Sequence, residues 1–365
     1  MKKPDYVFIG IVGALLVFGL MMLSSASSPA AYEKFGDNYW YLKHQILFGL
    51  LPGLGAFFLM SRLDYRKWKK YALPFLVISV ALLLLVFIPG LGAGYGKARS
   101  WINIFGMSLQ PSEIVKLTFL IYLAAWLGPK RGGRDMQEAG ASFIPFVAVF
   151  GIVAILMVLQ PDIGTLSVIA ITSIIVYFSA GAPLSHLGWI SGVGVFLFFL
   201  LVKFAPYRTA RLMTFLHPEL DPQGVGYHIN QALLAIGSGG FFGLGLGLSR
   251  QKFQYLPEVA GDSIFAVMAE ELGFIFMILF VAALVVLAIR GFKIAKNAPD
   301  GFGRLLAIGI TSWFVLQSFI NIGAMLGILP LTGIPLPFVS YGGTALTVCL
   351  AAAGIVVNIS KYSRE

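Results

Sequence analysis

The sequence predicts an all-α integral membrane protein of about ten transmembrane helices, with a large extracytoplasmic loop between helices 7 and 8. Three observations predict it. Hydrophobic residues make up 58% of the 365-residue chain and charged residues only 12%, about half the charge of a soluble domain, and the mean hydropathy is +0.86. Apolar runs long enough to cross a bilayer fall near residues 6–25, 44–61, 72–89, 112–128, 142–160, 163–181, 186–204, 263–289, 304–328 and 341–359. The Lys and Arg residues gather in alternate short connections, which is how orientation is encoded in such chains.

The first run follows Met1-Lys2-Lys3 and has the outline of a signal peptide. It reaches Leu23, long enough to span, and Ser24–Ala31 is not a convincing cleavage site, so it is expected to remain as the first helix. Asp64-Tyr65-Arg66-Lys67-Trp68-Lys69-Lys70, ahead of the third run, reads as a juxtamembrane basic stretch beside anionic lipid. At the head of the fourth run Glu113 and Lys116 stand one helical turn apart and can pair. A structural ion pair is the favoured reading, and contact between the lysine and an anionic ligand is the other. Gln160-Pro161-Asp162-Ile163-Gly164-Thr165 makes a tight re-entry between the fifth and sixth runs, with Pro161 and Gly164 as breakers. Asp162 can cap the sixth helix or line a cavity with Gln160 and Thr165.

Putting the N-terminus in the cytoplasm leaves about 16 of the 26 basic residues on that side, as the positive-inside rule expects. Both termini are then cytoplasmic, and the connections near 26–43, 90–111 and 205–262 face outward. Residues 1–365 read as one polytopic domain, and the 205–262 loop is too long for a mere connector. It holds an expected amphipathic helix over 226–237 and a glycine run over 237–247. Any chemistry is therefore expected on the outer face.

Several function classes are excluded. The lone Cys349 allows no disulfide within the chain and no cysteine metal site. His44, His186, His217 and His228 lack zinc-site spacing, so no metal ligands are assigned. Gly92–Lys97 lacks the first glycine and the Ser/Thr of a phosphate loop, and Gly243–Gly247 lacks the strand and helix of a dinucleotide fold. The formal charge of +10 sits mostly in short loops, which argues for orientation and against nucleic-acid binding.

Asp262 stands apart. It precedes the eighth apolar run directly, after Pro257 and Gly261. A helix N-cap and a catalytic carboxylate both fit this placement, and one residue can serve as both. Carboxylates in apolar segments are expensive and usually functional. Glu270, eight residues on, is close to two turns away on roughly the same side, and a hydrogen-bond network with a basic residue on another helix is its favoured reading. Glu271 is expected to turn into helix packing. Lys97, Arg99, Arg208, Arg211, Arg250 and Lys252 are cations on the outer side of a chain whose charge bias points inward. A pyrophosphate ligand would explain them, and so would anionic headgroups.

Five strings, taken in order, resemble the SEDS family of shape, elongation, division and sporulation proteins, which includes FtsW and RodA. They are Ala98-Arg99-Ser100-Trp101-Ile102 with Gln110-Pro111-Ser112-Glu113 and Lys116-Leu117; Gln160 through Thr165; Asp221-Pro222 and Gly226 through Gln231 with Ala235 through Gly240; Tyr255 through Phe265; and Gly333 through Gly343. Ser249 through Glu258 looks more like FtsW than RodA. Two departures are visible: Ala260-Gly261 replaces the family's usual His-Thr, and Ser100 replaces a basic residue before the tryptophan.

The resemblance implies a peptidoglycan glycosyltransferase that polymerises lipid II at the outer face of the bacterial cytoplasmic membrane, with Asp262 as the essential aspartate and general base. Direct displacement with inversion needs one base and releases undecaprenyl pyrophosphate. Arg99, Lys116, Arg208, Arg211, Arg250 and Lys252 are then candidate substrate contacts, with Gln231, Glu258 and Ser340, while Glu113, Asp162 and Glu270 support the site. No cofactor is required by the sequence, and Mg or Mn could assist at the pyrophosphate. The implied partners are lipid II, a class B penicillin-binding protein and other divisome or elongasome membrane proteins. A lipid II flippase is the rival reading. Against it, no internal repeat is evident, and the richest polar loop lies on one face only.

Overall fold

The computed structural model describes residues 2–89, 92–95, 98–104, 107–129, 133, 136–203, 213–217 and 224–363. Its helices are α1 (Tyr6–Phe35), α2 (Trp40–Arg62), α3 (Tyr65–Leu85), α4 (Pro111–Leu127), α5 (Gly140–Leu159), α6 (Ile163–Ser179), α7 (Leu184–Lys203), α8 (Val225–Ser238), α9 (Ile264–Lys296), α10 (Gly301–Met325) and α11 (Gly343–Ser360). A helix covers every apolar run read from the sequence. Among the described residues, seven are long and apolar enough to cross a membrane: α1, α2, α3, α5, α9, α10 and α11. The chain is an all-α, multi-pass membrane protein.

The most apolar windows of α10 and α11 are each 78% buried, against 17% for α3, so α10 and α11 form the interior and α3 the rim. α10 packs against α4, α6, α9 and α11, and it also touches α8. Its polar side chains therefore reach several elements at once. Both termini meet at one end of the bundle: the backbone N–H of Lys2 donates to Lys361 O at 2.9 Å. Asp5 caps α1 through Phe8 N and pairs with Arg290 at 2.6 Å. Asp262 lies at the opposite end of α9, on the order of 40 Å away at 1.5 Å per helical residue.

Three features differ from the sequence reading. First, α1 continues to Phe35, so most of the expected 26–43 connection is helix. Its extra turns mix the helix formers Ala26, Ala30, Ala31, Glu33 and Lys34 with polar serines that lower the hydropathy, and Gly36 ends it in the left-handed region (φ 69°) with its N–H on Tyr32 O. Second, the 90–111 connection contains an antiparallel sheet of β1 (Gly92–Tyr95), β2 (Ala98–Ile104) and β3 (Met107–Leu109) in the order β1-β2-β3. Third, α9 is broken at Gly273 (φ 77°, ψ 178°).

The glycine run explains that break. Phe274 N and Ile275 N would normally bond Glu270 O and Glu271 O within the helix. They donate to Gly240 O and Phe241 O instead, while Leu244 N and Gly245 N donate to Glu270 O and Glu271 O. The loop thus replaces the helical bonds one for one, which lets irregular backbone persist inside a membrane protein. A Cβ on Gly243 would run into the backbone of Glu271 and Leu272. Close packing accounts for Gly239 and Gly243, and a positive φ for Gly240, Gly245 and Gly247.

Candidate active site

The sequence Pro257-Glu258-Val259-Ala260-Gly261-Asp262-Ser263 folds as a tight turn before α9. Gly261 N and Ser263 N donate to Glu258 O at 2.9 and 3.3 Å, and Glu258 takes a positive φ of 50°. Such backbone is unfavourable for a non-glycine residue and persists only when its surroundings hold it. Four outside groups do so. Tyr341 N donates to Ala260 O at 2.8 Å. Ser340 Oγ donates to Gly261 O at 2.7 Å. Asn321 Nδ2 donates to Asp262 O at 2.9 Å. His228 Nε2 lies 2.6 Å from Ser263 Oγ. The backbone around Asp262 is therefore tied to α8, α10 and the segment leading into α11, while its carboxylate remains half-buried.

Ser263, the residue after Asp262, occupies the N-cap position of α9 and makes no side-chain cap hydrogen bond. The cap role weighed for Asp262 thus falls one residue short, because the turn ends a residue later than the apolar run suggests.

The loop opposite Asp262 is fixed by the same helix. Asn321 gives its second amide proton to Ile334 O at 2.9 Å, and Gln317 Nε2, one turn earlier, donates to Pro335 O at 2.7 Å. Gly333 (φ 69°) is so placed that a Cβ there would lie 4.0 Å from Asp262 Oδ2. A Cβ on Gly164 would meet Thr332 O and Ile334, which brings the Asp162 turn to this same end. Asp162 caps α6 through Thr165 N at 3.1 Å and accepts from Ser112 Oγ at 3.0 Å.

Glu113 and Lys116 form the expected ion pair, 2.7 Å apart and almost fully buried. Lys116 also donates to Gln317 Oε1 at 2.7 Å and sits 5.0 Å from the centre of the Trp313 ring. The pair thus braces the Gln317 that holds the loop at Pro335.

A second cluster lies around the break in α9. Glu270 accepts from Ser249 Oγ at 2.5 Å and Arg250 N at 2.9 Å, with longer contacts from Gln251 N. It pins the backbone of the loop on which Arg250 stands exposed. The basic partner expected for Glu270 belongs to Glu271, whose carboxylate meets Lys252 Nζ at 2.7 Å and Ser25 Oγ at 2.7 Å. Lys252 corrects another expectation. Its ammonium has three donors, and they reach Glu271, Gly247 O and Ser25 Oγ at 2.7, 2.7 and 3.1 Å. It is 4% exposed and acts as a buried counter-charge, with no donor left for a phosphate.

The other candidates divide as follows. Glu258 is exposed in the Asp262 turn, and Gln231 is half-buried on α8. Ser340 is buried, and its hydroxyl also accepts from Leu336 N at 2.7 Å, so it clamps the turn and does not face outward. Of Arg99, only its place in β2 is described, and Lys97, Arg208 and Arg211 lie outside the described residues. Three residues of the site, Asn321, Gln317 and His228, were missed. Asn321 and Gln317 had a signal, amides in an apolar helix. His228 lay within the Gly226–Gln231 string, but nothing in that string linked it to Ser263.

Residues 6–365 match the family model for cell cycle proteins that groups FtsW, RodA and SpoVE. Stage V sporulation protein E of Bacillus subtilis (strain 168) is 42% identical over 362 residues, covering 99% of this chain and 98% of that protein. A probable peptidoglycan glycosyltransferase FtsW of Trichlorobacter lovleyi is 41% identical over 370 residues, covering 99% and 95%. A chain of a solved peptidoglycan synthase complex, described as coordinating polymerization and crosslinking, matches with a TM-score of 0.79 at 28% identity. The match covers 98% of this chain and 97% of that one.

Proposed function

The chain belongs to the FtsW, RodA and SpoVE family of cell cycle proteins, and on that premise we propose that it is a peptidoglycan glycosyltransferase polymerising lipid II with Asp262 as general base. The observation that carries this reading is the immobilised turn: the backbone of residues 260–262 is bonded to three outside residues while the Asp262 carboxylate stays half-buried. Relatives named FtsW and sporulation protein E agree with a chain more FtsW-like than RodA-like.

In the proposed reaction the 4-hydroxyl of an acceptor sugar attacks the anomeric carbon of the lipid-linked donor. Its proton passes to the Asp262 carboxylate as the new C–O bond forms. The anomeric bond to the pyrophosphate oxygen breaks, and undecaprenyl pyrophosphate leaves with the electron pair. One base suffices for inversion, and general-base help is typically worth about 10²–10⁴-fold. Arg250, exposed on the loop pinned by Glu270, is the proposed contact that neutralises the leaving group, with Arg208 and Arg211 as proposed companions. Among the described residues no group of three or more His, Cys, Asp or Glu is arranged to hold a metal ion.

The site is assigned to the outer face of the bacterial cytoplasmic membrane and both termini to the cytoplasm. Support comes from the shared end of the two termini and from Arg290, Lys293 and Lys296 at the end of α9 far from Asp262. A class B penicillin-binding protein is the proposed transpeptidase partner, within a divisome or elongasome assembly. The test is lipid II polymerisation by the purified protein, alone and with its cognate transpeptidase. Glycan polymer is the expected product. Lipid II crossing liposome bilayers without any polymer would replace this reading with a flippase.

A further inference from the structure

Given Asp262 as the base, we infer that His228 is a positioning residue for it, acting through Ser263. The hydrogen-bond directions follow from the donors available. Ser263 Oγ lies 2.7 Å from Pro257 O, and a carbonyl oxygen only accepts, so the one hydroxyl proton goes there. Its second neighbour, His228 Nε2 at 2.6 Å, must then be the donor. Neutral His228 is thereby fixed as the Nε2–H tautomer.

Ser263 closes the turn at both ends of its own reach. Its hydroxyl holds Pro257 O, the first residue of the turn, and its backbone N–H holds Glu258 O at 3.3 Å. The His228 bond adds a link to α8. That helix is itself seated against the bundle: Ile229, Ala232 and Ala235 are buried, and Ile229 lies against Gly327 beyond the end of α10. Asn321 and Ser340 hold the Asp262 turn from the bundle interior, and His228 holds it from the amphipathic helix. Releasing this side frees the peptide that carries the base, and about 1 Å of misplacement can lower a rate by about 10²-fold. Substrate affinity, set by other groups, should hardly change.

The experiment uses the full chain with its cognate transpeptidase, measuring lipid II polymerisation by wild type, His228→Ala, His228→Gln, Ser263→Ala and the double alanine variant. His228→Ala should lose about 10–100-fold in kcat, with KM within about twofold. His228→Gln, whose Nε2–H can reach the same oxygen, should recover most of that loss. The double variant should lose no more than Ser263→Ala alone, because removing the Ser263 hydroxyl already cuts the His228 link together with the Pro257 bond. Wild-type kcat in His228→Ala, or equal losses in the Gln and Ala variants, would overturn the inference. If His228→Ala does not fold, Ser263→Ala compared with Ser263→Thr tests the same link from its other end. A separate readout needs no turnover. In protein with ¹⁵N-labelled histidine, one imidazole should be protonated at Nε2, and its signal should shift in Ser263→Ala. An unshifted spectrum would refute the hydrogen bond itself, whereas wild-type protein that makes no polymer would refute the transferase reading.

Discussion

Asn321 Nδ2 donates to the backbone carbonyl of Asp262 at 2.9 Å and, with its other proton, to Ile334 O at 2.9 Å. One amide on the central helix thus fixes both the residue proposed as base and the loop that faces it. Replacing it with Leu keeps the branched outline and leaves two carbonyls without this donor, each worth about 1–3 kcal/mol when stranded. Asn321→Leu should lower Tm and reduce kcat by at least tenfold, as measured by thermal unfolding in detergent and by polymerisation of lipid II.

Lys116→Met should be severely destabilising. It leaves the Glu113 carboxylate, 0% exposed, without its counter-charge, and breaking a buried pair this way typically costs about 3–5 kcal/mol. The double variant Glu113→Gln with Lys116→Met should regain most of that stability. Equal destabilisation of the single and double variants would show that the pair is dispensable and that the lysine matters for another reason.

Gly243 and Gly240 make a controlled comparison. Both have positive φ, 79° and 54°, but a Cβ on Gly243 would meet the backbone of the broken helix, and one on Gly240 would meet open space. Gly240→Ala should cost only the conformational penalty of about 1–2 kcal/mol. Gly243→Ala should cost more and should increase hydrogen exchange at Leu244 and Gly245, whose N–H groups bond across the break.

Arg250 and Lys252 are two residues apart and should behave as opposites. Lys252→Met strands Glu271 in the interior, so Tm should fall and the variant should express poorly. Arg250→Met removes an exposed guanidinium, so Tm should hold while kcat/KM for lipid II falls. The reverse pattern would move the phosphate contact back to Lys252.

The fold class was legible because hydropathy and length alone determine where helices can cross. Helical polar extensions were not: residues 26–35 carry too little hydropathy to register as a span, yet they continue α1 to Phe35. The small sheet and the break at Gly273 escaped for other reasons. The sheet is local, with Tyr95 pairing Ala98, but Gly92-Ala93-Gly94 is a poor strand signal, whereas the break depends on partners distant in sequence, the run at 240–245 with α9. At the site, the Glu113–Lys116 pair and the Asp162 cap were readable because helical spacing and turn chemistry are local. The partners of Glu270, Glu271 and Lys252 were not, since loop closure decides which carboxylate the lysine meets. His228 reaches Ser263 across 35 positions, a distance no local pattern spans.

The most direct measurement is lipid II polymerisation by Asp262→Asn beside wild type, each folded and in complex with the cognate transpeptidase. Asparagine keeps the shape and the backbone bond to Asn321 while removing the basic carboxylate. The account predicts glycan polymer from wild type and a loss of at least about 10²-fold in Asp262→Asn, with complex formation unchanged. Polymer at wild-type rate from Asp262→Asn would contradict it and shift the search for the base to Glu258, the exposed carboxylate in the same turn.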